Sequence, residues 1–202
     1  FHIIICVRYI ALFEMFKEIS FNKFYIWAHD TCLLHYGSTD LLDNQIISKW
    51  DNYIDGCICQ TSWHAKEYIK LYPELKNKIT IINNGLDITN INKLNKKQKN
   101  KFIYSSCSER GLKKVVDMWH KILEKIPDAT LVISSYNDFP LYNEDFEIIK
   151  IIDKYSDSIK HLGKLTYDKL YYEMSSSEYW LYPTSFNETS CITAMEMLAH
   201  GV

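Results

Sequence analysis

Two glutamates separated by seven residues could hold a ligand near the end of this 202-residue chain. Glu188 lies in a polar loop, and Glu196 lies in a segment whose apolar residues recur at helical spacing. Ile192, Met195 and Ala199 predict one buried face of this helix. Glu196 follows Ile192 by four residues and therefore belongs to the same face. A buried carboxylate is costly unless a donor hydrogen-bonds it, so this acid points to a ligand rich in hydroxyl groups.

The start of the helix, between the two acids, suits phosphate. Thr189 and Ser190 are favoured helix N-caps, and they follow an apolar run that ends at Pro183, where a strand would stop. The first N–H groups of a helix have no partner within it and lie at the positive end of its dipole, so they bind anions. The segment thus contains, in order, a strand, an acidic loop, the start of a helix and an acid on its inward face. This series predicts a site for a phosphorylated, hydroxyl-rich ligand.

Strands and helices alternate along the rest of the chain. The apolar runs predict strands over His2 to Val7, Lys23 to Ala28, Asp55 to Gln60, Lys78 to Ile82, Phe102 to Ser105, Thr130 to Ser134, Ile159 to Leu162 and Glu178 to Tyr182. The helical patterns cover Ile10 to Ile19, Leu41 to Tyr53, Trp63 to Leu71 with a cap at Thr61-Ser62, Leu112 to Ile126, about Glu144 to Tyr155, and Tyr167 to Met174. This alternation predicts an α/β protein with parallel sheets and right-handed crossovers.

A polar stretch divides the chain into two α/β halves. Residues 87–100 read as a linker between a first domain over 1–86 and a second over 101–202. The basic run from Asn90 to Lys101 has no interleaved aromatic residues, so it is interpreted as a solvated linker rather than a nucleic-acid contact. The run Asn83-Asn84-Gly85 before it predicts a turn, where positive φ is tolerated.

Composition narrows the classes of function. Hydrophobic residues make up 47% of the chain and the formal net charge is −2, which gives no indication of a nucleic-acid partner. No apolar run reaches the roughly 20 residues that cross a bilayer, which leaves room only for peripheral membrane contact. The six cysteines are scattered and form no Cys/His cluster, so we expect no zinc site, and buried thiols in a reducing, cytoplasmic setting.

Several polar residues follow predicted strands, where ligands bind in parallel α/β sheets. His29-Asp30, Ser106, Arg110, the run from Gly163 to Leu165, and Glu188 all fall at such strand ends. Each also has a structural interpretation: His29-Asp30 as a helix cap, Arg110 as an exposed arginine before a glycine, and Glu188 as a first-turn acid that favours the helix dipole. Arg110 beside a helix start would also suit a bidentate grip on phosphate.

The motifs together resemble family 4 of the retaining glycosyltransferases, which have two Rossmann-like domains in the GT-B arrangement. The paired glutamates are that family's signature, and the whole run from Tyr182 to Val202 resembles it. The other matching segments, in order, are Ile26 to Asp30, Ile81 to Asp87, Tyr104 to Leu112, Pro127 to Ser134 and His161 to Leu165. The resemblance covers nearly the whole chain.

The resemblance implies a role for each site residue. Glu196 would bind the ribose of a nucleotide-diphosphate sugar, and backbone N–H groups of Ser190, Cys191 and Ile192 would hold the diphosphate. Glu188 and His29 would contact the transferred sugar, and Arg110 would neutralise the departing diphosphate. The resemblance places the remaining donor-site residues at Leu165, whose backbone would meet the base, and at Thr189, Ser106 and Lys113. It implies transfer with retention of configuration, without a metal or cofactor, to a sugar, glycan, lipid or protein acceptor.

The sequence also departs from the family. The usual Gly-Arg reads Tyr104-Ser105 here and the usual Lys-Gly reads Arg110-Gly111, so one cation is missing unless Lys113 or Lys114 replaces it. The glycine-rich loop expected early in the first domain and the closing helix after Val202 are absent. We therefore expect both domains to be incomplete, in a chain cut from a longer protein.

Three functions are compatible with these residues. The first is a retaining glycosyltransferase that uses a nucleotide-diphosphate sugar. The second is a non-catalytic nucleotide- or glycan-binding module, which the missing cation favours and which would bind without transferring sugar. The third is a sugar-nucleotide epimerase of the GT-B fold, which would convert the donor with no acceptor present.

Overall fold

A computed structural model describes residues 2–8, 20–31, 51–89, 91, 95–135 and 143–202 of the chain. The chain divides into two compact units. The first unit contains Phe1–Gly85 together with Asn187–Cys191, and the second contains Leu86–Phe186 together with Ile192–Val202. Because the loop that carries Glu188 groups with the first unit, the two predicted site glutamates belong to different units.

The first unit is built on a four-stranded parallel sheet, as the alternating pattern predicted. One helix, α1, spans Ser62–Leu71, and its N-cap Thr61 accepts a hydrogen bond from the His64 N–H, which confirms the predicted cap. The strands, in both chain and spatial order, are β1 (Ile3–Val7), β2 (Lys23–Trp27), β3 (Gly56–Cys59) and β4 (Ile79–Ile81).

The core of the first unit lies between β2, β3 and α1. Phe24 and Ile26 of β2 are each 1% exposed, and Tyr68 of α1 packs with them. Cys57 and Cys59 point to the same side of β3 with their sulfur atoms 4.0 Å apart, as expected for alternate residues of a strand. Burial raises the pKa of the Cys6 thiol in the same core, as for a small hydrophobic side chain.

The second unit holds another four-stranded parallel sheet, in the order β7-β6-β5-β8. Its strands are β5 (Lys101–Ser105), β6 (Thr130–Ser134), β7 (Ile159–Gly163) and β8 (Tyr179–Trp180). Its helices are α2 (Leu112–Lys125), α3 (Asn143–Lys154), α4 (Tyr167–Ser176) and α5 (Ile192–Ala199). Each strand and helix begins and ends within about two residues of its predicted limits, and β8 stops at Trp180 rather than Tyr182.

The central strand β5 is buried along its whole length, because residues of helices cover both of its faces. On one face, Trp119 of α2 is fully buried, meets Phe102 edge-on with 5.8 Å between ring centroids, and donates from Nε1 to the Ser158 hydroxyl at 2.9 Å. On the other face, Ile103 packs with Met174 and Met197. The sheet thus supplies a rigid base for its loops.

The structure corrects the interpretation of the basic run as fully solvated. Lys101 lies in β5 and is 4% exposed, with its ammonium donating to Glu173 at 2.6 Å and to the Ser176 hydroxyl at 2.7 Å. Lys97 donates to the carbonyls of Ser177 and His200. These bonds compensate for burial of the ammonium groups, which composition alone does not show.

Two further predictions have different outcomes. The helix over Ile10 to Ile19 lies outside the described residues, as does most of the one over Leu41 to Tyr53, where the described end Asp51–Tyr53 is a short 3-10 helix. The prediction of a turn at Asn83-Asn84-Gly85 is wrong: residues 82–88 contain no turn and Gly85 has no positive φ. The two asparagine side chains instead bond to residues far away in sequence.

Candidate functional site

The carboxyl ends of the four strands of the second unit lie at one edge, because all four are parallel. Backbone hydrogen bonds tie the ends together: the Ser106 N–H donates to the Ser134 carbonyl at 3.3 Å, and the Ser135 N–H donates to the Gly163 carbonyl at 3.1 Å. Ser106 is buried in this edge, and the half-buried Leu165 follows β7 just before the Thr166 N-cap of α4. The strand-end placement of these two predicted residues is confirmed, while their contact with a donor stays a prediction.

Arg110 lies where β5 turns into α2. A 3-10 helix over Ser108–Arg110 leads to Gly111, whose φ of +107° is the left-handed region that favours glycine. The Arg110 guanidinium lies 3.0 Å from the centroid of the Phe186 ring, in a cation–π contact with the segment after β8. A guanidinium can bind phosphate in a bidentate manner through its edge N–H groups, and this role for Arg110 stays a prediction.

The two lysines that follow Gly111 differ in their surroundings. Lys113 pairs with Asp117 at 2.7 Å on the exposed side of α2. The Lys114 ammonium donates to the Pro183 carbonyl at 3.2 Å, beside the same segment after β8 that contacts Arg110. Lys114 thus lies by the segment that contacts Arg110, and replacement of the missing cation by Lys113 or Lys114 stays a prediction.

Glu196 is buried in α5, as its spacing predicted, with 8% of its surface exposed. The Tyr171 hydroxyl of α4 donates to its Oε1 at 3.1 Å. Burial raises the pKa of the Glu196 carboxyl, although the Tyr171 bond and the nearby His200 partly oppose this. Burial and the neighbouring carboxylate raise the pKa of Tyr171 to about 12, so its hydroxyl remains a donor at neutral pH.

The face of α5 that is buried differs from the predicted one. Ile192 is 48% exposed, and the buried positions are Thr193, Glu196, Met197 and His200. These four follow the i, i+3, i+4, i+7 spacing of one helix face. Because three of them are polar, a search for apolar residues at helical spacing does not identify this face. The prediction that Glu196 is buried is therefore confirmed, while the buried face of α5 is shifted by about one residue from the predicted face.

Tyr171 and His200 complete the surroundings of Glu196, and the sequence analysis missed both. The His200 Nδ1–H donates to the Glu196 carbonyl at 2.7 Å, and its ring lies 4.8 Å from that of Tyr171. His200 follows Glu196 by four residues, a spacing that signals a shared helix face. Tyr171 comes from another helix, 25 residues earlier, and carries no such signal.

The first unit gathers polar side chains at the carboxyl ends of its own parallel strands. His29 follows β2, Gln60 and Thr61 follow β3, and Asn84 follows β4. Gln60 is 2% exposed, and its Nε2 donates to His29 Nδ1 at 2.7 Å and to Asn84 Oδ1 at 3.1 Å. The sequence predicted His29 here but gave no indication of Gln60 or of a role for Asn84 beyond a turn.

The loop Asn187–Cys191 is bonded to these side chains. Thr61 Oγ1 donates to the Thr189 carbonyl at 3.0 Å, and Asn84 Nδ2 donates to the Ser190 carbonyl at 3.0 Å. The Thr189 hydroxyl lies 2.8 Å from both Gln60 Oε1 and the His29 carbonyl oxygen, and these two acceptors share its single proton. Thr189 and Ser190 were predicted N-caps, but α5 begins at Ile192, directly after Cys191.

Two histidines of the first unit have lowered pKa values. Burial lowers the pKa of His29, with a further contribution from the Arg8 cation that Asp30 opposes. Burial also lowers the pKa of His64, whose Nδ1 accepts from the Gln60 N–H at 3.2 Å and whose Nε2–H donates to the Asp30 carbonyl at 3.0 Å. These two bonds favour the neutral His64 tautomer that carries its proton on Nε2. The His64 ring also accepts a hydrogen bond from the backbone of Gln60, whose side chain bonds to His29.

The remaining candidates and site types can be placed briefly. Glu188 is half-buried, and Cys191 is half-buried at the end of the same loop. Within the described residues, no group of three or more His, Cys, Asp or Glu side chains could hold a metal ion. No helix in the described part of the chain is both long and apolar enough to cross a bilayer.

No family profile and no curated protein matches the chain, whereas solved structures do. TarM from S. aureus, in complex with fondaparinux, alpha-GlcNAc-glycerol and UDP, matches 98% of the chain with TM-score 0.70 and 15% identity. The catalytic domain of starch synthase IV from Arabidopsis thaliana, bound to ADP and acarbose, matches 99% with TM-score 0.67 and 13% identity. HepE from Anabaena, in complex with UDP-glucose, matches 89% with TM-score 0.64 and 13% identity.

The match covers only part of each of these proteins. The chain spans 39% of the TarM chain, 55% of the starch synthase chain and 51% of the HepE chain. The chain itself holds two parallel four-stranded sheets with alternating helices. The chain therefore has the Rossmann-like α/β architecture of GT-B glycosyltransferases.

Proposed function

We propose that the chain is part of a glycosyltransferase that transfers a sugar from a nucleotide-diphosphate sugar to an acceptor with retention of configuration. The observation that carries this proposal is Glu196, a buried carboxylate with one oxygen bonded to Tyr171. The shared fold supports it, since HepE was solved with UDP-glucose, TarM with UDP and starch synthase IV with ADP.

A buried carboxylate of this kind suits a ribose. Desolvation disfavours the charged carboxyl of Glu196, and each donor that reaches it recovers part of that cost. Tyr171 supplies one donor and fixes the orientation of the carboxylate. Two adjacent ribose hydroxyls would supply further donors, so the ligand would stabilise the charged form.

The other predicted residues take the roles that the resemblance implies. Arg110, with Lys114 beside it, would neutralise the charge that grows on the departing diphosphate, as fixed electrostatic stabilisation. The N–H groups at the start of α5 would hold that diphosphate. Glu188 and His29 would contact the transferred sugar. Front-face attack, with the diphosphate assisting as base, would retain the configuration without a metal.

Titration calorimetry with UDP, GDP and their sugars tests the donor site. We expect the wild-type chain to bind at least one of them, and Glu196→Gln to bind it about tenfold or more weakly, because hydrogen bonds to a charged group are worth roughly 1.5–3 kcal/mol. The glutamine keeps the shape and can still accept from Tyr171. Glu124→Gln, on the exposed side of α2, is the matched control and should bind as the wild type does. Equal binding by Glu196→Gln would contradict the ribose assignment.

Product analysis separates transfer from the other functions. We expect sugar transfer to an acceptor, detected by mass and by the anomeric proton coupling, which also reports retention. An epimerised donor formed without acceptor would contradict transfer and indicate an epimerase. Binding with no conversion by the full-length protein would indicate a binding module.

A further inference from the structure

The carbonyl of Ser190 fixes the orientation of two side-chain amides in the first unit. A carbonyl oxygen only accepts, so Asn84 must present its Nδ2 to Ser190, at 3.0 Å. Asn84 Oδ1 then faces Gln60, which must present Nε2, at 3.1 Å. Gln60 Oε1 is left as an acceptor 2.8 Å from the Thr189 hydroxyl, whose one proton it shares with the His29 carbonyl. The bonds therefore form one consistent chain that starts and ends in the loop Asn187–Cys191.

The same bonds set the direction of two backbone N–H groups. The carbonyl of Thr189 is held by Thr61 and that of Ser190 by Asn84. In a planar trans peptide the C=O and the following N–H point in opposite directions. The N–H groups of Ser190 and Cys191 therefore point away from Thr61 and Asn84. These two N–H groups occur in succession directly before α5, and N–H groups at a helix start bind anions.

We propose that Gln60, Thr61 and Asn84 are positioning residues that hold the N–H groups of Ser190 and Cys191 in place for the diphosphate of the donor. The inference rests on the proposed function for its ligand and on the hydrogen bonds for its geometry. The three residues act through the loop rather than by touching the ligand, because their polar groups are bonded to one another, to His29 and His64, and to the loop.

His29 makes this arrangement sensitive to pH. Gln60 Nε2 donates to His29 Nδ1 at 2.7 Å, and that nitrogen accepts only while it carries no proton. Protonation would place two donors against each other and turn the Gln60 amide away from Asn84. The charged and titratable groups around His29 are Arg8, Asp30 and His64. The loop should therefore be held when His29 is neutral and released when it is protonated.

Paired titrations of the whole chain with UDP and uridine, and with GDP and guanosine, test the inference. We expect the nucleotide to bind more tightly than its nucleoside, and Asn84→Ala to reduce that ratio by about tenfold, the value of one hydrogen bond at the upper end of its usual range. Nucleoside binding should not change, because Glu196 is untouched. Asn77→Ala, an exposed asparagine of the same unit, is the control. An unchanged ratio in Asn84→Ala would overturn the inference.

Two further readouts separate this inference from the proposed function. Amide hydrogen exchange of residues 187–192 should accelerate in Asn84→Ala and in Gln60→Ala with no nucleotide present, and unchanged exchange would overturn the positioning role even if nucleotides bind. The wild-type nucleotide-to-nucleoside ratio should fall on acidification through the His29 titration, and Gln60→Ala should lose that dependence. A wild-type chain that binds neither nucleotide would instead overturn the proposed function.

Discussion

Gly111 is the glycine whose replacement should destabilise the second unit most. Its φ is +107°, and a Cβ placed there would lie 2.7 Å from the Pro183 carbonyl oxygen and 3.0 Å from its carbon. Left-handed backbone strains an alanine by about 1–3 kcal/mol. Relieving the contact requires backbone movement, at about 1–3 kcal/mol more, as for overpacking. We expect Gly111→Ala to lower the free energy of unfolding by about 2–6 kcal/mol.

Alanine substitutions at two other glycines help to distinguish the cost of left-handed backbone strain from the cost of the contact with Pro183. Gly163 has a φ of +61°, and a Cβ added to it would have no neighbour within 4 Å, so Gly163→Ala should cost only the strain, about 1–2 kcal/mol. Gly85 has neither a positive φ nor a neighbour within 4 Å, so Gly85→Ala should lie within about 0.5 kcal/mol of the wild type. The difference between Gly111→Ala and Gly163→Ala therefore measures the contact with Pro183 together with any additional strain at the larger φ of Gly111.

Amide hydrogen exchange in β5 and β6 is the appropriate assay, because two compact units need not unfold together and a single midpoint would mix them. We expect the slowest amides of these strands to lose more protection in Gly111→Ala than in Gly163→Ala; Gly85 lies in the first unit, so the effect of Gly85→Ala is measured in β3 and β4. If Gly111→Ala costs no more than Gly163→Ala, the close approach to Pro183 carries no energy. The placement of Arg110, one residue earlier, would then not depend on it.

Two other properties can be measured directly. Because burial lowers the folded-state pKa of His29 and His64 below the unfolded value of about 6.5, the unfolded chain binds more protons below that pH. The free energy of unfolding should then fall as pH drops below about 6.5, and ring-proton NMR titration midpoints at or above about 6.5 would contradict this. In the core of the second unit, Trp119→Ala should cost about 3–5 kcal/mol, while Met118→Ala at its exposed neighbour should stay within about 0.5 kcal/mol. Amide hydrogen exchange in β5 and β6 measures both, and similar costs would show that Trp119 is not a core residue.

The fold could be predicted from the sequence because its signals are local. Runs such as Thr130–Ser134 are apolar, short and bounded by turn residues, so periodicity places strands almost to the residue. Alternation with helices then fixes the parallel sheet through the handedness of the crossover. Lys101 is the exception within β5: a lysine is expected to be solvated, and its burial is compensated by Glu173 and Ser176, which lie 72 and 75 residues away in sequence.

The candidate site could be predicted only in part, since its partners are distant in sequence. Glu196 was located because a charged residue broke an apolar pattern, and the exposed Ile192 shows that the pattern itself was read one position out of phase. Tyr171 lies on a separate helix and Gln60 lies 129 residues before Thr189. No periodicity connects such pairs, and only the packing of the elements brings them together.

Spacing along the chain and membership of a compact unit give different information about the two glutamates. Seven residues separate Glu188 from Glu196, yet Asn187–Cys191 groups with the first unit and Ile192–Val202 with the second. The loop is covalently continuous with α5, while its carbonyls are hydrogen-bonded to Thr61 and Asn84. The conformation of the loop therefore depends on side chains that are far from the loop in sequence. A substitution at Asn84 removes a hydrogen bond to Ser190, 106 residues later, and so acts directly on the loop.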